Sequence, residues 1–281
     1  MSAPARLLAR RLAVTASFLL AMAGTAVGVG AFGGDPIAEA AGGLLAADST
    51  HLAPATPAFM IWSVIYAGLG AYTIWQWWDR RDARGIAPGA VLSLLLNAAW
   101  ILTIQAGLVG LSVVVIALLV AVLADLFRRL ASAPPGGLVE RVVADGTFGL
   151  YLGWASVATC ANIAAALKGA GFSGFGVPSV LAVTVLAVVA VIGIALVRAG
   201  RRPIAAPLAM IWGLSWIAVG RGTDEPHAPL VALAAAGVAL VIGVAALVTA
   251  LQPRSTADPR RTVRLRAARR DELAAHGRSA R

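Results

Sequence analysis

The chain has 281 residues, of which 59% are hydrophobic and 13% are charged, and its mean hydropathy is +0.84. A soluble globular domain has about 45–50% apolar and about 25% charged residues, so this composition excludes a water-soluble protein and excludes disorder over most of the chain. The formal net charge of +10 would suggest a nucleic-acid partner in a soluble protein. The one cysteine, Cys160, excludes an internal disulfide framework and a cysteine-based zinc site.

The apolar residues fall in runs long enough to cross a bilayer as α-helices, which takes about 20 residues. Eight runs predict spans at residues 12–32, 57–78, 88–106, 109–127, 147–167, 178–197, 204–220 and 229–251. The predicted fold is all-α, a polytopic helical membrane bundle, in which a tight turn around Gly107 separates the third and fourth spans. The first run could instead be a cleaved signal peptide, although its apolar segment is long for one.

The positive charge is distributed asymmetrically about these spans. With eight spans, 21 of the 23 cationic residues lie on one side of the membrane, and Lys168 and Arg221 lie on the other. Cytoplasmic loops carry the excess of Lys and Arg, so the sequence predicts that both termini are cytoplasmic. We expect an integral protein of a bacterial plasma membrane, with the lipid bilayer as its first partner.

Two segments outside the spans could be functional. Residues 33–56 form the longest connection, and a short helix over residues 37–47 could lie on the bundle. A connection of this length is often a lid, and a passive surface loop is the alternative. The tail at residues 252–281 carries nine arginines and a net charge of +6. It could dock on anionic headgroups or only set the topology, and since it has no aromatic residue for base stacking we expect no nucleic-acid partner.

Two aspartates near the ends of predicted spans are assigned structural roles. Asp125 precedes Arg128 and Arg129 by three and four residues, so the three share a helical face and predict a local ion pair. Asp145 stands just before Thr147 and is predicted to cap the N-terminus of the fifth span.

Polar and aromatic residues form a stripe along one face of three predicted spans. Spacings of three and four residues place them together on the second, third and fifth spans. The stripes contain Phe59, Trp62 and Tyr66, then Asn97 and Trp100, then Tyr151, Trp154, Ala158 and Asn162. One interpretation is interhelical packing, in which the asparagines join helices. The other is a pocket whose aromatic walls and few polar groups suit a flat apolar ligand.

Three of these segments resemble a known family in their order and spacing. The second span reads Pro57-Ala-Phe-Met-Ile-Trp62-Ser-Val-Ile-Tyr66, the third contains Leu96-Asn97-Ala-Ala-Trp100, and the fifth contains Tyr151-Leu-Gly-Trp154 followed by Asn162. These segments are similar to the Pro-x-x-x-x-Trp-x-x-x-Tyr, Phe-Asn-x-x-Trp and Tyr-Leu-x-Trp motifs of the tryptophan-rich sensory proteins, the TspO/MBR or translocator-protein family. The resemblance covers about residues 10–170.

The resemblance implies a five-helix core at residues 1–170, to which this chain adds three helices at residues 171–251 and the tail at 252–281. It implies a pocket for a large hydrophobic ligand such as a tetrapyrrole among helices 2, 3 and 5, with the first loop folded over it. The residues of the three stripes, from Phe59 to Asn162, then become candidate ligand-binding residues. Because the loop lacks the tryptophans usual in the family and no tyrosine meets the sterol pattern, we do not expect a sterol ligand.

Several functions remain open at this point. The first hypothesis is a ligand-binding sensor, and the alternatives are a carrier or transporter of hydrophobic molecules, a tetrapyrrole-degrading enzyme, and a structural membrane protein. No histidine lies inside a span, so we predict no catalytic residue, no metal ligand and no cofactor beyond the tetrapyrrole as ligand. The glycine pairs Gly24/Gly28 and Gly149/Gly153 have a spacing that fits either packing within the chain or a homodimer.

Overall fold

The computed structural model describes residues 2–33, 35–199 and 204–252, and within these ranges the chain is helical and has no strand. Two short helical turns, Ala40–Gly43 and Gly174–Gly176, lie in connections. The eight long helices are α1 Ala3–Gly28, α2 Thr56–Trp75, α3 Ala87–Gln105, α4 Val109–Ser132, α5 Leu138–Gly169, α6 Pro178–Ala199, α7 Ala205–Thr223 and α8 Pro229–Leu251. These elements confirm the predicted polytopic helical bundle, and the predicted tail lies outside the described residues except for Gln252.

Seven of the long helices, all but α7, are long and apolar enough to cross a membrane. The packing places α7 alongside α5. Gly149 lies against Ala205 at the start of α7, and Val157, two turns further along α5, lies against Gly213 of α7. The two helices therefore run side by side in the same direction, and the eight predicted spans correspond to eight helices.

The chain marks its helix boundaries with proline and glycine. Prolines occupy the first turn of several helices, where the missing N–H removes no intrahelical bond; they are Pro57, Pro88, Pro178 and Pro229. The turn between α3 and α4 has only three residues, and its Gly107 has a φ of +72°, a conformation that glycine adopts without strain. The predicted tight turn is therefore confirmed.

The first helix packs as an integral part of the bundle. It begins at Ala3 and ends at Gly28, a few residues before the predicted end, because the next residues form a turn. Gly24 lies directly against Ala98 of α3, and Gly28 lies against Ile101 of the same helix. Since the second glycine pair likewise packs against α7, both pairs serve contacts within the chain, and a homodimer would have to use other surfaces.

The predicted cap at Asp145 is wrong. The fifth helix begins at Leu138 rather than near residue 147, and the segment Arg141–Gly146 is a π-helical turn inside it. Free backbone N–H groups occur only in the first turn of a helix, so a residue in the helix interior has none from which to accept a hydrogen bond. The carboxylate of Asp145 instead accepts two hydrogen bonds from Arg84, at 3.0 and 2.8 Å. The predicted pairing of Asp125 with two arginines is confirmed, as its carboxylate contacts Arg128 and Arg129.

Charged side chains collect at the two ends of the bundle. At one end, which we call the arginine-rich end, Arg10 pairs with Asp79 and Arg84 pairs with Asp145. At the opposite end Lys168 donates to the backbone of the long loop, residues 29–55. The sides of the helices between these ends expose large apolar residues, as a lipid-facing surface requires. Examples are Leu19, Val191, Leu233 and Leu240.

The long loop does not contain the helix predicted over residues 37–47. Only Ala40–Gly43 is helical, and it is interrupted because Ala41 and Gly42 have positive φ values of 53° and 70°. The loop still lies on the bundle. Its residues Ile37, Ala40 and Leu44 pack against apolar residues at the ends of α3, α4 and α5.

Candidate ligand-binding site

Five of the predicted site residues from α2 and α5 meet in one aromatic cluster. We use this name for Phe59, Trp62, Tyr66, Tyr151 and Trp154. Trp62 lies at its centre: its ring is stacked on Tyr66 at a centroid distance of 5.4 Å and meets Tyr151 and Trp154 edge-on at 5.8 and 6.2 Å. Phe59 meets Trp154 edge-on at 5.9 Å. The stripes predicted on the second and fifth spans therefore face each other.

The third span contributes Asn97 to this cluster. The amide Nδ2 of Asn97 donates a hydrogen bond of 2.5 Å to the hydroxyl of Tyr66. Within the described residues, its other amide atom, Oδ1, is buried and has no hydrogen-bond partner, and the same is true of the indole Nε1 of Trp154. A buried polar atom without a partner costs about 1–3 kcal/mol, so a donor and an acceptor left in this state in one cluster require an explanation.

The remaining predicted polar residue, Asn162, belongs to a separate network. Its Oδ1 accepts a hydrogen bond of 2.9 Å from Nε1 of Trp100, and its Nδ2 donates to the hydroxyl of Ser112 at 2.9 Å. Asn162 therefore joins α3, α4 and α5 and has the packing role that the sequence left open. Sequence reasoning missed Ser112, because a serine in a helix gives no signal of which distant residue it contacts.

The long loop covers the network rather than the aromatic cluster. Ile37, Ala40 and Leu44 of the loop belong to the same apolar group as Trp100 and Ile104. Gln105, at the end of α3, donates to the carbonyl of Asp35 at 2.9 Å. The ninth predicted residue, Ala158, is half-buried and packs against the core around the aromatic cluster. The nine predicted residues thus form two adjacent groups on α2, α3 and α5.

The family model described as TSPO-like protein matches residues 11–248 of this chain. The chain belongs to the TSPO-like protein family. No curated protein and no solved structure is detectably similar to it. The match includes the three helices after residue 170, and residues up to Thr249 pack as one compact unit. These last helices of this TSPO-like chain are therefore part of the bundle in which the aromatic cluster lies.

The seventh helix adds aromatic residues that sequence reasoning did not assign to the site. Trp212 and Trp216 of α7 meet edge-on at 5.7 Å and pack against the core that contains the aromatic cluster. The indole of Trp212 donates a hydrogen bond of 2.8 Å to the carbonyl of Ala58, next to Phe59. The spacing of four residues between the two tryptophans was the available signal. In this TSPO-like protein, α7 therefore forms an outer wall beside α2 and α5.

The rings of the aromatic cluster pack directly against one another. Tyr151 and Trp154 are buried, whereas Trp62 and Tyr66 are half-buried. Two open clefts of about 320 and 380 Å³ lie elsewhere, one between α4 and α6 and one beside Trp78 at the arginine-rich end. Neither of these two clefts is lined by a predicted site residue.

Proposed function

We propose that this member of the TSPO-like family binds a large, flat, hydrophobic ligand, such as a porphyrin, at the aromatic cluster. The observation that carries the proposal is a pair of buried atoms, Nε1 of Trp154 and Oδ1 of Asn97, that have no hydrogen-bond partner among the described residues. A ligand with a ring nitrogen or oxygen acceptor and an N–H donor would satisfy both. A planar ring system would also replace the stacking of Trp62 on Tyr66 with its own stacking on the same faces.

In this proposal the half-buried residues of the cluster move to admit the ligand. Trp62 and Tyr66 lie on α2 and retain exposed surface, whereas their partners on α5 are buried. Rotation of the two α2 rings would open a slot against the fixed faces of Tyr151 and Trp154. The ligand would then lie between α2 and α5, with Asn97 of α3 at its edge.

A porphyrin titration of the purified protein tests this assignment. We expect Trp62→Ala to raise the dissociation constant for porphyrin by about tenfold or more, because stacking on an aromatic face contributes about 1–3 kcal/mol. Trp154→Phe keeps the ring and removes only the N–H, so we expect a smaller loss, about fivefold. The dissociation constant is measured from the shift of the porphyrin absorption band, since removal of a tryptophan alters the protein fluorescence itself.

The matched control is Trp78→Phe. Trp78 is 73% exposed at the arginine-rich end and lies outside the cluster. The Trp78→Phe variant should bind porphyrin with the affinity of the unmodified protein. Equal affinity for Trp62→Ala and Trp78→Phe would exclude the aromatic cluster as the site. Turnover of bound porphyrin in the dark would indicate an enzyme. Uptake of porphyrin into proteoliposomes would indicate a transporter that uses the same site.

We also infer that both termini face the cytoplasm. The support is that Lys168 and Arg221 contact the long loop at one end, whereas Arg10 and Arg84 lie at the other. Because the cation-rich side of a membrane protein is cytoplasmic, the long loop should face outward. Reporter fusions at Ala46 and at the C-terminus should land on opposite sides, and their detection on one side would contradict this orientation.

A further inference from the structure

One cation is entirely buried at the loop end of the bundle. The seventh predicted span ends at residue 220 and leaves Arg221 in a loop. In the structure α7 continues to Thr223, so Arg221 lies inside the helix, and 0% of its surface is exposed. Within the described ranges, no carboxylate oxygen lies within 4.0 Å of its guanidinium nitrogens. Asp224 and Asp48 stabilise its charge from a greater distance. A buried cation without a close counter-ion is expensive, so its contacts need a reason.

The guanidinium of Arg221 binds backbone carbonyls, and two of them belong to the long loop. Nη2 donates to the carbonyl of Ala47 at 2.7 Å, and Nη1 donates to the carbonyl of Thr50 at 3.0 Å. A third acceptor, the carbonyl of Pro226 at 3.3 Å, lies just after α7. Hydrogen bonds from a charged donor are stronger than neutral ones, and here one side chain fixes two points of the same loop segment.

The loop segment around these carbonyls rests on the last three helices. Leu52 is buried in the apolar group that joins α5, α6, α7 and α8. The N–H of Ala55 donates to the carbonyl of Trp216 in α7 at 3.1 Å, and Gly220 lies directly against Ala55. Burial and the charge of Arg221 lower the pKa of His51, which favours the neutral form of this neighbouring imidazole.

The earlier part of the same loop packs beside one residue of the predicted site, Trp100. Leu44 lies closely against Gly169 at the end of α5, and with Ile37 and Ala40 it belongs to the apolar group that contains Trp100. The loop therefore contacts two groups of helices. Its first half lies on α3, α4 and α5, and its second half is bound by α7.

The closed position of the loop also has a cost. The hydroxyls of Ser49 and Thr50 and the Nε of Arg221 are buried, and they have no hydrogen-bond partner in the part of the chain that the structure describes. Water would reach these groups if the loop lifted. The hydrogen bonds from Arg221 favour the closed loop, whereas hydration of these three groups favours the open loop. Such a balance is expected of a cover that can move.

We propose that Arg221 is a latch that holds the long loop closed over the Asn162 network at the ends of α3, α4 and α5, so that the last three helices set the position of the loop. This proposal does not rest on the proposed function. The geometry gives α7 a role: it supplies Trp212 and Trp216 beside the aromatic cluster and Arg221 at the cover.

The rate at which a cysteine in the loop reacts with a maleimide tests the latch directly. The background is Cys160→Ser, which removes the native cysteine, combined with Thr50→Cys. Thr50 is 8% exposed, and its hydroxyl has no hydrogen-bond partner in the described part of the chain. The carbonyl that Arg221 binds belongs to the backbone and is unchanged by this substitution. The introduced thiol should be protected when the loop is closed.

We expect Arg221→Gln to raise the labelling rate of this cysteine by about tenfold or more, as the loss of a charge-assisted hydrogen bond predicts. Arg221→Lys keeps the charge but offers one donor group instead of a fork, so its rate should be intermediate. The control is Lys168→Met, which removes the exposed contact from Lys168 Nζ to the carbonyl of Ser49. We expect that variant to change the rate by less than about threefold.

Each outcome decides the proposal. Labelling of Arg221→Gln and Arg221→Lys at the unmodified rate overturns the latch, as does an equal acceleration by Lys168→Met. If Arg221→Gln does not fold, Arg221→Lys alone decides, because it retains the buried charge. Faster labelling in a protein that binds no porphyrin would support the latch and reject the proposed function.

Discussion

Replacement of Arg84 with methionine is expected to lower the free energy of unfolding by about 2–3 kcal/mol, because it removes three charge-assisted hydrogen bonds from a buried guanidinium. The Arg84 side chain is 3% exposed. It binds Asp145 through two parallel hydrogen bonds and Glu140 through a third at 2.8 Å. In the variant, both carboxylates would stand close together without their cation.

The position of Arg84 explains why this contact matters for the bundle. Arg84 lies between α2 and α3, and both acceptors lie in the first turns of α5, so one side chain ties the α2–α3 connection to the π-helical segment. Burial alone would lower the pKa of Arg84, but hydrogen bonds and charge from Asp145 and Glu140 raise it above its usual value. The cation is therefore held where a lone arginine would be unfavourable.

The measurement is thermal or denaturant unfolding in detergent, followed by circular dichroism. Arg129→Met is the matched control, because Arg129 also pairs with an aspartate but its side chain is 50% exposed. Exposed pairs contribute about 0–1 kcal/mol, so the control should change stability little. The triple variant Arg84→Met, Glu140→Gln, Asp145→Asn should regain part of the loss. Equal stabilities of Arg84→Met and Arg129→Met would show that the buried ion pairs do not hold α5.

Local features of the fold and of the site were predictable from the sequence. Apolar runs gave the eight helices, because each span has to satisfy its own backbone hydrogen bonds. Spacings of three and four residues placed Trp62 and Tyr66 on one face of α2, and Tyr151 and Trp154 on one face of α5. The Asp125 ion pair was predictable for the same reason, since both partners lie within one turn.

Contacts between residues distant in the chain were not predictable. Asp145 looked like a cap because its partner, Arg84, lies 61 residues away and on another connection. Arg221 looked like a loop cation because nothing in its neighbourhood shows that residues 47 and 50 return to it. Asn97 and Asn162 had the same local pattern, yet one faces the aromatic cluster and the other joins three helices. These differences depend on helix rotation, which periodicity alone does not fix.

Gly153→Ala is expected to separate α5 from α7 and to destabilise the bundle by about 3 kcal/mol, the upper part of the range for overpacking a tight contact. A Cβ at Gly153 would overlap the carbonyl oxygen of Ala206, which is backbone and cannot rotate away. Helices in lipid gain little from burying apolar surface against one another, so such close backbone contacts carry much of their association. The loss therefore tests how α7 is attached to the core.

The same substitution at Gly237 is the control for Gly153→Ala. Gly237 lies inside α8, and a Cβ there would meet no atom within 4 Å in the described part of the chain. Gly237→Ala should leave stability unchanged or raise it by up to about 1 kcal/mol, because alanine favours the helix. If both variants unfold at the same temperature, α5 and α7 are not held by this contact. A further result would link this contact to Arg221. If only Gly153→Ala is destabilised, and the Thr50→Cys thiol reacts faster when the two substitutions are combined, then the packing of α7 against α5 also positions Arg221.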